Sequence, residues 1–173
     1  MRKKTFSLIL VLIFAMAVFA GCSQGSASKV GTAPDGSEIA IEKASMKLMN
    51  DTQAGGYQLV STEDLQTWID EEKDMIIIDT MPADNFAGGH IPGAVNAELP
   101  KTTLADATDE QKAAFIDLLG TDKNKTIVVY CGFVGCARSD VGAVIAVQEG
   151  FTNVYRQPGG ITAWQEAGYE VEK

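Results

Sequence analysis

"TIVVYCGFVGCARSDVGAVIAVQEG", residues 126–150, runs from an apolar segment through a two-cysteine loop into a second apolar segment. It opens on five residues with the length and apolar continuity of a strand covered on both faces. It closes on "SDVGAVIAVQEG", an apolar helical stretch that stops at Gly150. Between the two lies a glycine-containing loop with Cys131, Cys136 and Arg138. A buried strand that turns directly into a helix is the building unit of a parallel sheet, and such sheets bind ligands beyond the carboxyl ends of their strands. The cysteine loop occupies one such end.

The same alternation continues on both sides. "MIIID", residues 75–79, is a second doubly buried strand, while "YQLVS", "AVNAE" and "NVYRQ" read as shorter ones. "STEDLQTWIDEEK" has a Ser/Thr cap, acids in its first turn and Leu65, Trp68 and Ile69 on one face. "DATDEQKAAFIDLLG" and "GGITAWQEAG" complete the helices. The pattern predicts an α/β fold in three layers: a mainly parallel sheet over residues 57–173 with helices on both faces.

At 173 residues, 46% of them hydrophobic, the chain has material for one core, and one domain is the expectation. Its start reads as a targeting segment, with Arg2, Lys3 and Lys4 ahead of a nearly unbroken apolar run from residue 6 to 20. The end of that run, "FAGC" at residues 19–22, resembles the lipobox of bacterial lipoprotein signal peptides. The resemblance implies removal of residues 1–21, a diacylglycerol on Cys22, and an exported protein anchored on the extracytoplasmic side of a bacterial membrane. The removed segment holds three basic and no acidic residues, so the formal charge of −9 becomes −12. So acidic a body argues against nucleic acid, and it leaves the acyl chains as the means of attachment. Residues 22–56 are expected to be a flexible tether, rich in Ser, Gly, Ala and Thr at first, with a short helix before Gly55 and Gly56.

In the loop, Cys131 ends a buried strand, and Gly132 and Gly135 would let the chain turn tightly with N–H groups directed inward. Those donors, the following helix and Arg138 favour an anion at the centre, which should lower the thiol pKa and make Cys131 a nucleophile. A buried cysteine that merely fills space is the competing reading. A metal site ranks last, because the cysteines are not spaced C-x-x-C and His90 is the only histidine.

"IIIDTMPADNFAGGHIPGAVNAEL", residues 76–99, resembles the first signature of rhodanese-like domains, and "YRQPGGITAWQEAGYEVE", residues 155–172, resembles the second. The resemblance covers residues 57–173. It implies a rhodanese-like three-layer fold with a five-stranded sheet, and sulfur transfer through a persulfide on Cys131. Gly132, Phe133, Val134, Gly135, Cys136, Ala137 and Arg138 would form the substrate cradle. His90 and Asp79 would be structural. A small sulfane-sulfur donor, a thiophilic acceptor, a monomer and no cofactor are expected.

The sequence departs from the family pattern in two places. Met81 stands where many members have arginine, and Arg138 falls seven places after Cys131 where common single-domain members have it five places on. Thiosulfate is therefore expected to be a poorer donor than a polysulfide or thiol persulfide. A related phosphatase branch uses C-x5-R, which this loop also exceeds, and Tyr130 stands where that branch carries histidine. Cys136 has two readings: a resolving thiol that attacks the persulfide and leaves a disulfide, or packing in the loop wall. A thiol redox protein and a non-catalytic binding module are the alternatives from other classes.

Overall fold

Each of the two central strands alternates its side chains between two separate cores, and that alternation builds the layers. The computed structural model describes residues 37–173. The leader and Cys22 lie outside them. Helix α1 (Glu38–Gly55) comes first, followed by β1 (Gln58–Leu59), α2 (Thr62–Asp70), β2 (Met75–Asp79), α3 (Ala83–Gly88) and β3 (Ala94–Asn96). A 3-10 turn (Leu104–Asp106), α4 (Asp109–Leu119), β4 (Thr126–Tyr130), α5 (Arg138–Gln148), β5 (Asn153–Gln157) and α6 (Gly160–Glu166) complete the chain. The five strands form one parallel sheet in the order β1-β5-β4-β2-β3.

Ile78, Ile127, Val129 and Val154 face a core shared with Phe115 and Leu119 of α4 and with Val141, Ala143, Ile145 and Ala146 of α5. Ile77, Val128 and Tyr130 face the other core, with Leu65 of α2 and Trp164 of α6. Successive strand residues point to opposite faces, so unbroken apolar runs in β2 and β4 are what a sheet covered on both sides demands. Helix starts follow local chemistry. Ser61 caps α2 by accepting from the Asp64 N–H, and Thr108 with Gln111 makes a reciprocal capping box on α4.

Three elements differ from the sequence expectation. The helix before Gly55 is 18 residues long, not short. Its polar and apolar residues are poorly segregated, and Ile39, Ile41, Met46 and Met49 are exposed, so periodicity under-reported it. Helix α3 was not anticipated. It is a single short helix with Pro82 at its N-cap and no buried residue, which leaves no amphipathic signal to read. The strand expected from "YQLVS" is only two residues long, at the edge of the sheet.

Candidate functional site

The strand register brings Asn96, Asp79, Tyr130 and Gln157 side by side at the carboxyl ends of β3, β2, β4 and β5. This polar row closes the sheet just below the cysteine loop. The Asp79 Oδ1 accepts from the Met81 N–H at 2.7 Å, and the Asn96 side-chain amide donates to the Asp79 and Met81 carbonyls. Thr80 donates through both its N–H and its hydroxyl to the Tyr130 carbonyl. The segment after β2 is thus locked to the end of β4. Burial raises the Asp79 carboxyl above its ordinary range, with the Met81 N–H bond the largest opposing influence, and its Oδ2 is buried without a hydrogen-bond partner among the described residues. Burial also pushes the Tyr130 hydroxyl up, and that oxygen accepts from the Ile91 N–H at 3.1 Å.

Cys131 and Cys136 are joined by a disulfide, with their Cα atoms 6.4 Å apart. The intervening residues turn back through a bond from the Cys136 N–H to the Phe133 carbonyl at 3.0 Å. Cys131 is 2% exposed, while Cys136 is partly exposed and Phe133 and Val134 project into solvent. A cavity of about 330 Å³ opens here, lined by both cysteines and, among others, Met81, Asn85, Lys101 and Arg138.

The base of the loop is held from α6. Ile161 N–H donates to the Cys131 carbonyl at 2.9 Å and Thr162 N–H to the Gly132 carbonyl at 3.0 Å. The contact is close enough that a Cβ on Gly160, at φ +63°, would stand 2.2 Å from the Cys131 oxygen. Gln157 sets this turn, accepting from the Gly160 N–H and donating to Thr62. Gly132 and Gly135 were expected to permit a tight turn inside the loop. Neither adopts positive φ; the left-handed glycine the loop depends on is Gly160, on the opposing turn.

Ala137 is buried at the start of α5. Arg138 lines the cavity, yet its guanidinium donates to the Leu99 carbonyl and pairs with Glu98 at 3.4 Å, so much of its charge is directed into the wall. His90 lies at the far edge, stacked on Phe86 and bridged through its backbone to Glu172. Among the described residues, no group of three or more His, Cys, Asp or Glu could hold a metal ion.

Sequence reading missed two charged neighbours of the loop and its cavity. Lys101 reaches the cavity from an irregular segment with no periodicity to mark it. Arg156, 1% exposed, donates from its Nη2 to the Cys136 carbonyl at 2.9 Å. It occupies a core-facing position next but one to Val154, and a charge at such a position is the signal that could have revealed it.

Comparison with known proteins agrees with this architecture. The family model described as "Rhodanese-like domain" matches residues 61–167. Rhodanese-like domain-containing protein 14, chloroplastic, of Arabidopsis thaliana is 27% identical over an alignment of 135 positions that covers 60% of this chain and 60% of that relative; the match therefore spans less than two thirds of the relative's length. A solved thiosulfate sulfurtransferase from Pseudomonas aeruginosa aligns with a TM-score of 0.56 at 19% identity, covering 73% of this chain and 22% of the other. The polysulfide-sulfur transferase homodimer of Wolinella succinogenes aligns with a TM-score of 0.55 at 19% identity, covering 79% and 91%. These two structural likenesses speak to the fold.

Proposed function

The chain belongs to the rhodanese-like domain family, and from that premise we propose that it is a sulfurtransferase that carries sulfane sulfur on Cys131. The observation that supports this most directly is the placement of Cys131, at the carboxyl end of a central strand and on the wall of a cavity. In the reduced protein the Cys131 thiolate attacks the outer sulfur of a polysulfide or thiol persulfide. A new S–S bond forms, and the donor leaves one sulfur shorter with the electron pair of the bond that breaks. A thiol acceptor then removes the outer sulfur from the Cys131 persulfide.

Of the two cations that line the cavity, Lys101 and Arg138, it is Arg138 that supports a preference for a polysulfide or thiol persulfide over thiosulfate. Arg138 is committed to Glu98 and the Leu99 carbonyl, which leaves it poorly placed to receive a sulfonate.

The disulfide favours a second outcome at the same site. The Cys136 thiolate attacks the inner sulfur of the Cys131 persulfide, expels hydrosulfide and closes the Cys131–Cys136 bond. Reopening that bond requires two thiols from a dithiol reductant. Of the two joined sulfurs, that of Cys136 belongs to the more exposed residue, so the first thiolate attacks it and Cys131 departs as a thiolate. The second thiol resolves the mixed disulfide.

Intact mass spectrometry of the reduced protein after exposure to polysulfide tests the reading. We expect additions of ~32 Da per sulfur atom on Cys131, and no sulfur transfer from Cys131→Ser. Transfer that survives in that variant places the chemistry elsewhere.

A further inference from the structure

We infer that Arg156 is the positioning residue of the Cys131–Cys136 couple, and that it is steered by Asp51 on the helix that precedes the family domain. The inference rests on the redox outcome proposed for the loop. Arg156 comes from β5, where it is paired with Val129 of β4 and Leu59 of β1. A guanidinium so deeply buried is costly unless its donors and its charge are both matched. Here they are. Nε donates to the Ser139 hydroxyl at 2.9 Å, Nη1 to the Tyr57 hydroxyl at 3.2 Å, and Nη2 to the Cys136 carbonyl at 2.9 Å. Two carboxylates balance the charge, Asp51 at 3.5 Å and Asp140 at 4.0 Å. Tyr57 passes the network on, donating to Asp140 at 2.6 Å, and burial together with that bond pushes its hydroxyl up to about 12.

Two features turn this cluster from packing into positioning. The first is its target. Among the described contacts, the Cys136 main chain is held by its own turn to Phe133 and by Arg156, so beside the disulfide itself the guanidinium is what ties that main chain to the body of the domain. The second is the origin of Asp51. It lies on α1, ahead of residue 61 where the family match begins, and it also pairs with Lys47 on the same helix. A segment added to the domain thus reaches the redox loop through one arginine.

Confinement and charge have separable effects on the couple. By holding the Cys136 carbonyl, Arg156 keeps the second sulfur beside Cys131 and favours the disulfide. Its positive charge would favour a thiolate, but Asp51 and Asp140 largely cancel it. Arg156→Lys keeps the charge and loses the planar fork, so it isolates confinement. Asp51→Asn weakens the support of the fork and uncovers positive charge, and both changes push towards the dithiol.

The test equilibrates the full chain with defined ratios of oxidised and reduced dithiothreitol and quantifies the linked 131–136 peptide. Polysulfide loading of Cys131 and thermal melting are followed in parallel. Arg156→Lys should lower the equilibrium constant for the disulfide about tenfold, equivalent to about 30 mV. Asp51→Asn should lower it about threefold, the scale of a partly exposed ion pair. Loading of reduced Cys131 should stay within about twofold of wild type in both, because its own clamps come from α6; a merely structural role for the arginine would lower melting and loading together and leave the constant alone. A folded Arg156→Lys protein with the wild-type constant overturns the inference. If that variant does not fold, Asp51→Asn decides, with an unchanged constant overturning the inference and a lowered one supporting it. A wild-type protein that forms no linked peptide removes the couple itself, and the inference with it, whereas absent sulfur loading alone removes only the transferase reading.

Discussion

The two ends of the cysteine loop are held by different kinds of bond. At the Cys131 end the main chain is clamped to the main chain, by the Ile161 and Thr162 N–H groups and by a turn so close that only glycine fits at residue 160. At the Cys136 end one side chain does the work, a guanidinium that bridges the loop to β5, α5 and α1. Main-chain clamps leave few degrees of freedom, whereas a side-chain clamp depends on its charge partners and can be adjusted by changing them. The difference suits the roles proposed for the two sulfurs. The buried one must keep a fixed geometry towards the donor, and the outer one must approach and withdraw.

The largest effect is expected from breaking the fixed end. Gly160→Ala places a methyl group in the space of the Cys131 oxygen and forces a residue with a side chain to φ +63°. Left-handed strain and overpacking together should cost about 2–5 kcal/mol. We expect a lowered melting temperature and slower persulfide loading in the fraction that folds. Wild-type stability and loading would show that the α6 clamp does not govern Cys131.

A smaller and more selective effect should come from the adjustable end. Cys136→Ser removes the resolving thiol without touching the α6 clamp. Loading of Cys131 should remain, no 131–136 linkage should form on oxidation, and the persulfide should decay several-fold more slowly in the absence of acceptor. A decay rate equal to that of wild type would assign Cys136 to packing alone.

The smallest effect concerns the floor beneath the fixed end. Burial raises the Asp79 carboxyl in the folded protein, so the folded state holds this proton more tightly than the unfolded chain does. The associated stability is fully present below the unfolded pKa of about 4 and is lost as pH rises through the folded pKa. Asp79→Asn should flatten that part of the stability-versus-pH curve, measured by denaturant unfolding at a series of pH values. A curve with the wild-type slope would show that another group carries the dependence.

Much of the architecture could be read before any coordinates. The apolar runs at residues 75–79 and 126–130, the capped helices starting after Ser61 and Thr108, and the glycine stops at Gly120 and Gly150 are all local signals, and each marks an element of the parallel sheet or its covering layers. Helix α3 and the full extent of α1 escaped because neither carries a buried stripe strong enough to repeat along the chain.

The candidate site divides along the same line. A cysteine at the end of a buried strand, with a second cysteine and an arginine following in a loop, is legible in the chain order alone, because strand, loop and helix are set by near neighbours. Which groups close on that loop depends on how the distant elements pack. That packing paired Cys131 with Cys136, turned Arg138 towards Glu98, brought Lys101 to the cavity, and delivered the Ile161 and Arg156 clamps. Asp51 and Cys136 are 85 positions apart in the chain, yet both meet Arg156. Contacts of that kind leave no periodicity in the sequence, since they exist only after β5 has entered the sheet between β1 and β4 and carried a charged side chain into the core.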